Sequence, residues 1–170
     1  MELNTKKEAA RKKSLGELGE LFALKALVDN GYKVSNLNDR RMNFPFADLL
    51  AEKDGIKYII SVKSRNMLQK NNTLNSSYKL GDDVYDKIDK ALTSIKAVPC
   101  WLAVQFERQH YSIYFGLIQE LEGKKRIPIN KCMQKEIGQC LAHRNKHFFD
   151  FDYFENQKEL TSVTFIASTS

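Results

Sequence analysis

Apolar and polar positions along this chain follow two different periods, and the switches between them outline its elements. Leu15, Leu18 and Phe22, with Leu21, Leu24 and Val28 alongside, recur at helical spacing and give a broad apolar face, with Gly31 as a stop. Thr5-x-x-Glu8 and Ser14-x-x-Glu17 are both capping-box patterns, so the helix begins at the first and is continued or re-initiated at the second. Tyr32 to Leu37 reads as a strand, and two apolar runs around Asp54-Gly55 read as a hairpin. Residues 66 to 81 are polar and without periodicity, which predicts a mobile loop. Val84, Ile88, Leu92 and Ile95 predict a helix from Asp82 to about Ala97. Pro99 to Phe106 and Tyr111 to Ile118 predict strands joined by the turn Glu107-Arg108-Gln109-His110. Beyond them, Asn130 to about His143 looks helical and Thr161 to Ala167 reads as a strand. The run from His147 to Phe154 is either an alternating strand with phenylalanines packed inward or an aromatic stacking or dimer surface.

The hairpin brings candidate chemistry with it. Asp-Gly tolerates the positive φ that a type I′ turn needs at both central residues. Counting outward from that turn sets Lys53 against Ile56 and Asp48 opposite Ser61, with Lys63 two residues further on the same side of the sheet. A carboxylate and an ammonium held side by side on a rigid strand pair suit metal-assisted phosphodiester hydrolysis. A hard cation such as Mg²⁺ needs only one or two protein carboxylates when the substrate phosphate supplies other oxygens. A neighbouring lysine can orient the attacking water or offset charge at phosphorus.

Charge sharpens this picture. The net charge is +6, and residues 1 to 70 hold 14 Lys and Arg against 9 Asp and Glu, so most of the surplus lies in the half that carries the hairpin. Lys6, Lys7, Arg11, Lys12 and Lys13 lead into the first helix, Arg40 and Arg41 precede Asp48, and Arg65 and Lys70 follow Lys63. Lys12, Lys13, Arg40, Arg41, Arg65 and Lys70 are the candidate DNA contacts, because phosphate backbones attract such clusters regardless of base sequence. A solvated helix face is the plain alternative for any charge run taken alone.

Length and composition set the remaining bounds. At 170 residues, with 42% hydrophobic and 28% charged residues, the expectation is one globular domain with a sizeable core. No apolar run approaches a bilayer span and the first residues lack a signal-peptide core, so a cytoplasmic protein with no membrane role is expected. Cys100, Cys132 and Cys140 are odd in number and lack a CxxC pair, which argues against a disulfide framework. Cys132, Cys140, His143 and His147 have zinc-binding types but no recognisable spacing.

The order of these elements resembles the PD-(D/E)xK, or restriction-endonuclease-like, nuclease superfamily, whose signature is an acid on one strand and acid-x-Lys on the next. Gly19-Glu20-Leu21-Phe22-Ala23 through Leu27 to Gly31-Tyr32-Lys33-Val34 is similar to the first helix and strand of its archaeal Holliday-junction resolvase, Mrr-type and YraN-type branches. The likeness covers residues 14 to 118 and is strongest from 16 to 65. It implies an α/β fold with an αβββαβ core, a mixed central sheet flanked by helices and a C-terminal α+β extension over residues 119 to 170. It implies a Mg²⁺- or Mn²⁺-dependent endonuclease acting on DNA, with Asp48 and Glu20 as metal ligands, Lys63 as the catalytic cation and Ser61 as a secondary contact. A homodimer is plausible, since cutting both strands calls for two sites. Two positions depart from the pattern: Ala47 precedes Asp48 where proline is usual, and Ser61-Val62-Lys63 has serine in place of the second acid. Glu20, Asp82, Asp83 or Asp86 could supply the missing carboxylate. Otherwise the chain is an inactive DNA-binding module on the same fold, or a protein-interaction domain.

Overall fold

The computed structural model describes residues 2–40, 43–66, 77–106, 110–128 and 147–148. A long helix, α1 (Glu2–Asp29), is followed by strand β1 (Lys33–Asn36) and a single helical turn, α2 (Leu37–Arg40). The hairpin β2 (Leu49–Lys53) and β3 (Ile56–Arg65) comes next, then a short strand β4 (Ser77–Lys79) and helix α3 (Val84–Leu92). Strands β5 (Val98–Phe106) and β6 (His110–Leu117), a 3-10 turn (Ile118–Leu121), β7 (Arg126–Pro128) and β8 (His147–Phe148) complete the described chain.

The main sheet runs in the order β1-β2-β3-β5-β6-β8, with β8 only a two-residue edge. β3 and β5 are parallel and every other neighbouring pair is antiparallel, so the sheet is mixed. That parallel pair needs a crossover, and the chain makes it through α3. β4 and β7 form a separate two-stranded sheet. Each face of the main sheet has its own core. Leu15, Phe22, Ala23 and Leu27 of α1 pack on Leu49, Ile60, Val62, Leu102 and Val104. On the other side Val84 and Ile88 of α3 pack with Trp101, Tyr78 and Ile127, while Ala91 packs with Ile59. With both faces covered, β5 has no solvent side, which is why its residues 100 to 104 are all apolar. Cys100 lies there, fully buried, and burial pushes its thiol pKa well up, which suits a small core residue.

The hairpin turn forms as its residues demand, with φ of +52° at Asp54 and +78° at Gly55. Helix α1 ends where Gly31 adopts φ of +84°. The Tyr32 N–H donates to Leu27 O and the Gly31 N–H to Val28 O, the paired bonds of a Schellman cap.

Other expectations are revised. Helix α1 starts at Glu2, so Thr5 does not begin it, and it runs on past Ser14, the continuation allowed for at the second capping box. Its apolar face is narrower than the sequence suggests: Leu21 is 53% and Val28 50% exposed. Helix α3 is shorter than the predicted Asp82 to Ala97, ending at Leu92, with Ile95 packing beyond the helix end. The predicted loop at 66 to 81 contains β4, whose Tyr78 is buried; residues 67–76 lie outside the described residues. So do Glu107 to Gln109 of the predicted turn, the predicted 130 to 143 helix, the run from 149 to 154 and the predicted 161 to 167 strand, along with Cys132, Cys140 and His143.

Candidate functional site

The site begins where β2 leaves its ladder with β3. The register matches the hairpin count from Lys53↔Ile56 to Leu49↔Ile60. At the next residue it departs from it: the Asp48 N–H donates to Ile60 O at 2.9 Å, so Asp48 shares with Leu49 the same partner residue instead of lying squarely opposite Ser61. This is the geometry of a β-bulge, which re-aims a side chain at the end of a ladder. Phe46, with φ of +68°, turns the preceding chain away. Val62 therefore has no ladder acceptor on that side, and the Asp48 carboxylate supplies one, accepting the Val62 N–H at Oδ2 over 2.7 Å. The Asp48 carbonyl accepts the Leu37 N–H at 2.9 Å. Three hydrogen bonds to two neighbouring segments thus fix Asp48.

Glu20 reaches the same place from α1, through the residue before it. A Cβ on Gly19 would lie 1.6 Å from Ser64 Oγ and 2.8 Å from Ser64 Cβ, so only glycine lets the helix rest on β3 at this point. The Glu20 carboxylate is then half-buried and within electrostatic reach of Asp48. Its pKa is raised, first by burial and next by the charge of Asp48, with smaller contributions from Glu17 and Asp39. Asn36 opposes the rise weakly, its amide donating to Glu20 Oε2 at 3.5 Å. The Asp48 pKa is also raised by burial, against the Val62 N–H and the charge of Lys63. The two carboxylates are thus coupled electrostatically, with the charge of Lys63 felt at Asp48, in surroundings that disfavour their ionised forms.

Such a pair suits a cation. Carboxylate oxygens are the donors that Mg²⁺ and Mn²⁺ prefer, two can suffice when phosphate and water complete the shell, and the mutual strain of the acids is what a divalent charge would relieve. Among the described residues no group of three or more His, Cys, Asp or Glu converges on one point. Asp82, Asp83 and Asp86 are not brought to the acids: all three are exposed at the start of α3, and Asp83 pairs with Lys87 at 3.1 Å. Ser61 is 2% exposed and lines a smaller cleft shared with Lys63.

A larger cleft of about 420 Å³ runs from Glu20 between α1 and the far end of β3. Arg11, Lys12, Lys63, Arg65 and Lys79 line it against the single acid Glu20. Of the predicted basic contacts, Lys12 and Arg65 belong to this cleft, while Lys13 faces Glu17 at 3.9 Å on the exposed helix surface. Arg40 contributes its backbone to α2; Arg41 and Lys70 lie outside the described residues. Arg65 stacks over the Tyr78 ring at 4.8 Å, which orients its guanidinium.

Several members are not among the predicted contacts, although Arg11 belongs to the basic cluster ahead of the first helix. Arg11 binds Glu8 through two nitrogens, at 2.7 and 3.0 Å, and donates to Asn66 Oδ1 at 3.0 Å, tying α1 to the end of β3. Asn66 is buried, but nothing in its neighbours marks it out. Lys79 reaches the cleft only because β4 folds over it. Asn36, in contrast, ends β1 and Asp39 lies in the turn after it, and their polar types were the only signal.

With this geometry in place, comparison with known proteins is informative about the fold. No family model matches the chain, and no curated protein sequence matches it. Among solved structures it is similar to Hjc of Archaeoglobus fulgidus, a Holliday junction resolvase from an archaeal hyperthermophile, with a TM-score of 0.51 and 18% identity. The match covers 75% of this chain and 92% of that one. The chain has the nuclease-like fold of that resolvase: a mixed sheet with helices on both faces. No helix among the described residues is long and apolar enough to cross a membrane.

Proposed function

We propose that this chain is a DNA-binding, metal-dependent endonuclease that hydrolyses phosphodiester bonds. The observation that carries the reading is the basic cleft lined by Glu20 and Lys63, with Asp48, fixed by the Val62 amide, in electrostatic reach of both although it lies 28 positions from Glu20 in sequence. The fold shared with a Holliday junction resolvase supports it, since folds of this kind carry such sites, although fold by itself does not set activity.

Glu20 and Asp48 would hold Mg²⁺ or Mn²⁺, which would supply Lewis-acid polarisation of the phosphate and a more acidic bound water. The chain's own groups act around that centre. Asp48 is held rigid by the Val62 amide, so its second carboxylate oxygen keeps a fixed position without further ordering cost. Lys63 places positive charge beside Asp48, where it can neutralise charge growing on the phosphoryl oxygens and orient the attacking water. Arg11, Lys12, Arg65 and Lys79 hold the flanking phosphates along the cleft. Ser61, buried behind Lys63, is a secondary contact and carries no charge for the metal.

A second reading has a specific observation in its favour. Serine stands where a second strand acid would, and no third acid converges among the described residues, which suits a DNA-binding module without cleavage. Incubation with plasmid, branched and single-stranded DNA in Mg²⁺ or Mn²⁺ distinguishes the two. For the nuclease, Lys63→Ala lowers cleavage by about 10²- to 10⁴-fold and Asp48→Ala abolishes it, with only modest loss of binding. Binding weakens with added salt in both readings, and Lys79→Ala reduces the slope of log K against log salt by about 1. DNA binding without cleavage of any substrate supports the module; binding that ignores salt, or none, removes both and leaves a protein-interaction role.

A further inference from the structure

A second cleft, of about 280 Å³, opens on the opposite side of Lys63 from the basic groove, and among the described residues Lys63 alone lines both. Its walls are Phe44, Pro45, Phe46 and Leu80, and its polar edge is Asn43, Ser61 and Lys87. The two phenylalanine side chains are half-buried: Phe46 packs against the cluster around Val84 and Trp101 and against that around Ile59 and Ala91, and Phe44 against the latter. The backbone at Phe46 is held in an unfavourable conformation, with φ of +68°. A bulky residue adopts the left-handed region only when its surroundings enforce it, and such outliers gather at ligand clamps.

The cleft mixes apolar and cationic groups, as a nucleotide joins a base to phosphates. Phe44, Pro45, Phe46 and Leu80 supply the apolar part of the wall, and aromatic side chains suit the π-face of a heterocycle. The exposed Asn43 amide carries both donors and an acceptor, as reading a base edge requires. Lys63 on one side and Lys87 on the other, the latter paired with Asp83 at 3.1 Å, attract the phosphates on either side of that base. A base stacked inside a duplex cannot enter a cleft beside the strand that holds its own phosphate; it has to leave the stack.

We propose that this cleft receives an unpaired base from the nucleotide next to the phosphate at Lys63, so that the protein selects DNA in which a base beside the reacting phosphate is free of its helix. The inference rests on the nuclease reading of Asp48 and Lys63 and specifies its substrate class.

The test uses the full chain in EDTA and two fluorescent duplexes, identical except for one unpaired nucleotide. Stacking on an aromatic wall predicts tighter binding of the bulged DNA by roughly 5- to 150-fold. Phe44→Ala brings that preference down to about 3-fold or less and leaves the affinity for the paired duplex unchanged. Because Phe44 also packs against the core, a second measurement uses the wild-type chain: 5-iodouracil at the unpaired position, irradiated in the complex, attaches to the segment 43–46. Equal affinity for the two duplexes, a preference that persists in folded Phe44→Ala, or attachment elsewhere overturns the proposal. Salt-sensitive duplex binding without preference overturns this inference alone, whereas absence of salt-sensitive DNA binding overturns the nuclease reading as well.

Discussion

Replacing Asp48 by alanine and by asparagine separates two tasks that the structure assigns to one side chain. Its Oδ2 accepts the Val62 N–H at 2.7 Å, and Val62 sits in a strand covered on both faces. Alanine leaves that amide without an acceptor, at a cost of about 1 to 3 kcal/mol. For a chain of this size each kcal/mol moves Tm by about 2 to 4 °C, so the Asp48→Ala protein in EDTA melts about 2 to 12 °C below wild type. Asparagine keeps an acceptor oxygen for Val62 and removes the charge that pushes Glu20 up. Asp48→Asn in EDTA at pH 7 is therefore at least as stable as wild type. Added Mn²⁺ at about 100 times its Kd stabilises wild type by about 2.7 kcal/mol, and neither variant responds to that extent. Calorimetry of the three proteins with EDTA and with MnCl₂ reads both effects. Asparagine as destabilising as alanine would refute the role of the Val62 bond; a full Mn²⁺ response in Asp48→Asn would refute the acid pair as the ligand.

Two further outcomes follow from the same geometry. Gly19→Ala drives a methyl group into Ser64 and costs about 1 to 3 kcal/mol, partly offset by the better helix propensity of alanine; Ser64→Gly in the same chain restores stability, and urea denaturation measures both. Because Glu20 and Asp48 have raised pKa values, folding favours their protonated forms. In EDTA their contribution is fully present below the ordinary carboxylate values of 4.5 and 3.8 and is lost as pH rises through the raised ones. Subtracting the stability of a Glu20→Gln, Asp48→Asn double variant isolates that trend from carboxyls that behave oppositely, such as Glu8, held at about 2 chiefly by its hydrogen bond with Arg11, and Mn²⁺ reverses it. A flat difference between the two proteins from pH 4 to 7 would count against the pairing.

What the sequence determined by itself is what short-range physics sets. Asp54-Gly55 dictates its turn, the turn dictates the pairing of Lys53 to Leu49 with Ile56 to Ile60, and alternation along β5 is replaced by an unbroken apolar run because both faces are covered. The order of helix, strand and hairpin, and the nomination of Glu20, Asp48 and Lys63, came from those local patterns and from a family resemblance. The tertiary structure decided what depends on residues far apart in the chain. The bulge at Asp48 arises where Phe46 turns away and Val62 is left needing an acceptor, which counting outward from a regular hairpin does not foresee. The exposure of Leu21 and Val28 was settled by how α1 lies on the sheet, and the entry of Lys79 into the basic cleft by β4 folding back over it. Above all, Glu20 comes within electrostatic reach of Asp48 on a helix that rests on β3 at Gly19, where no side chain stands against Ser64. Steric contact between distant segments leaves no periodic mark in a sequence, whereas turns and alternation do.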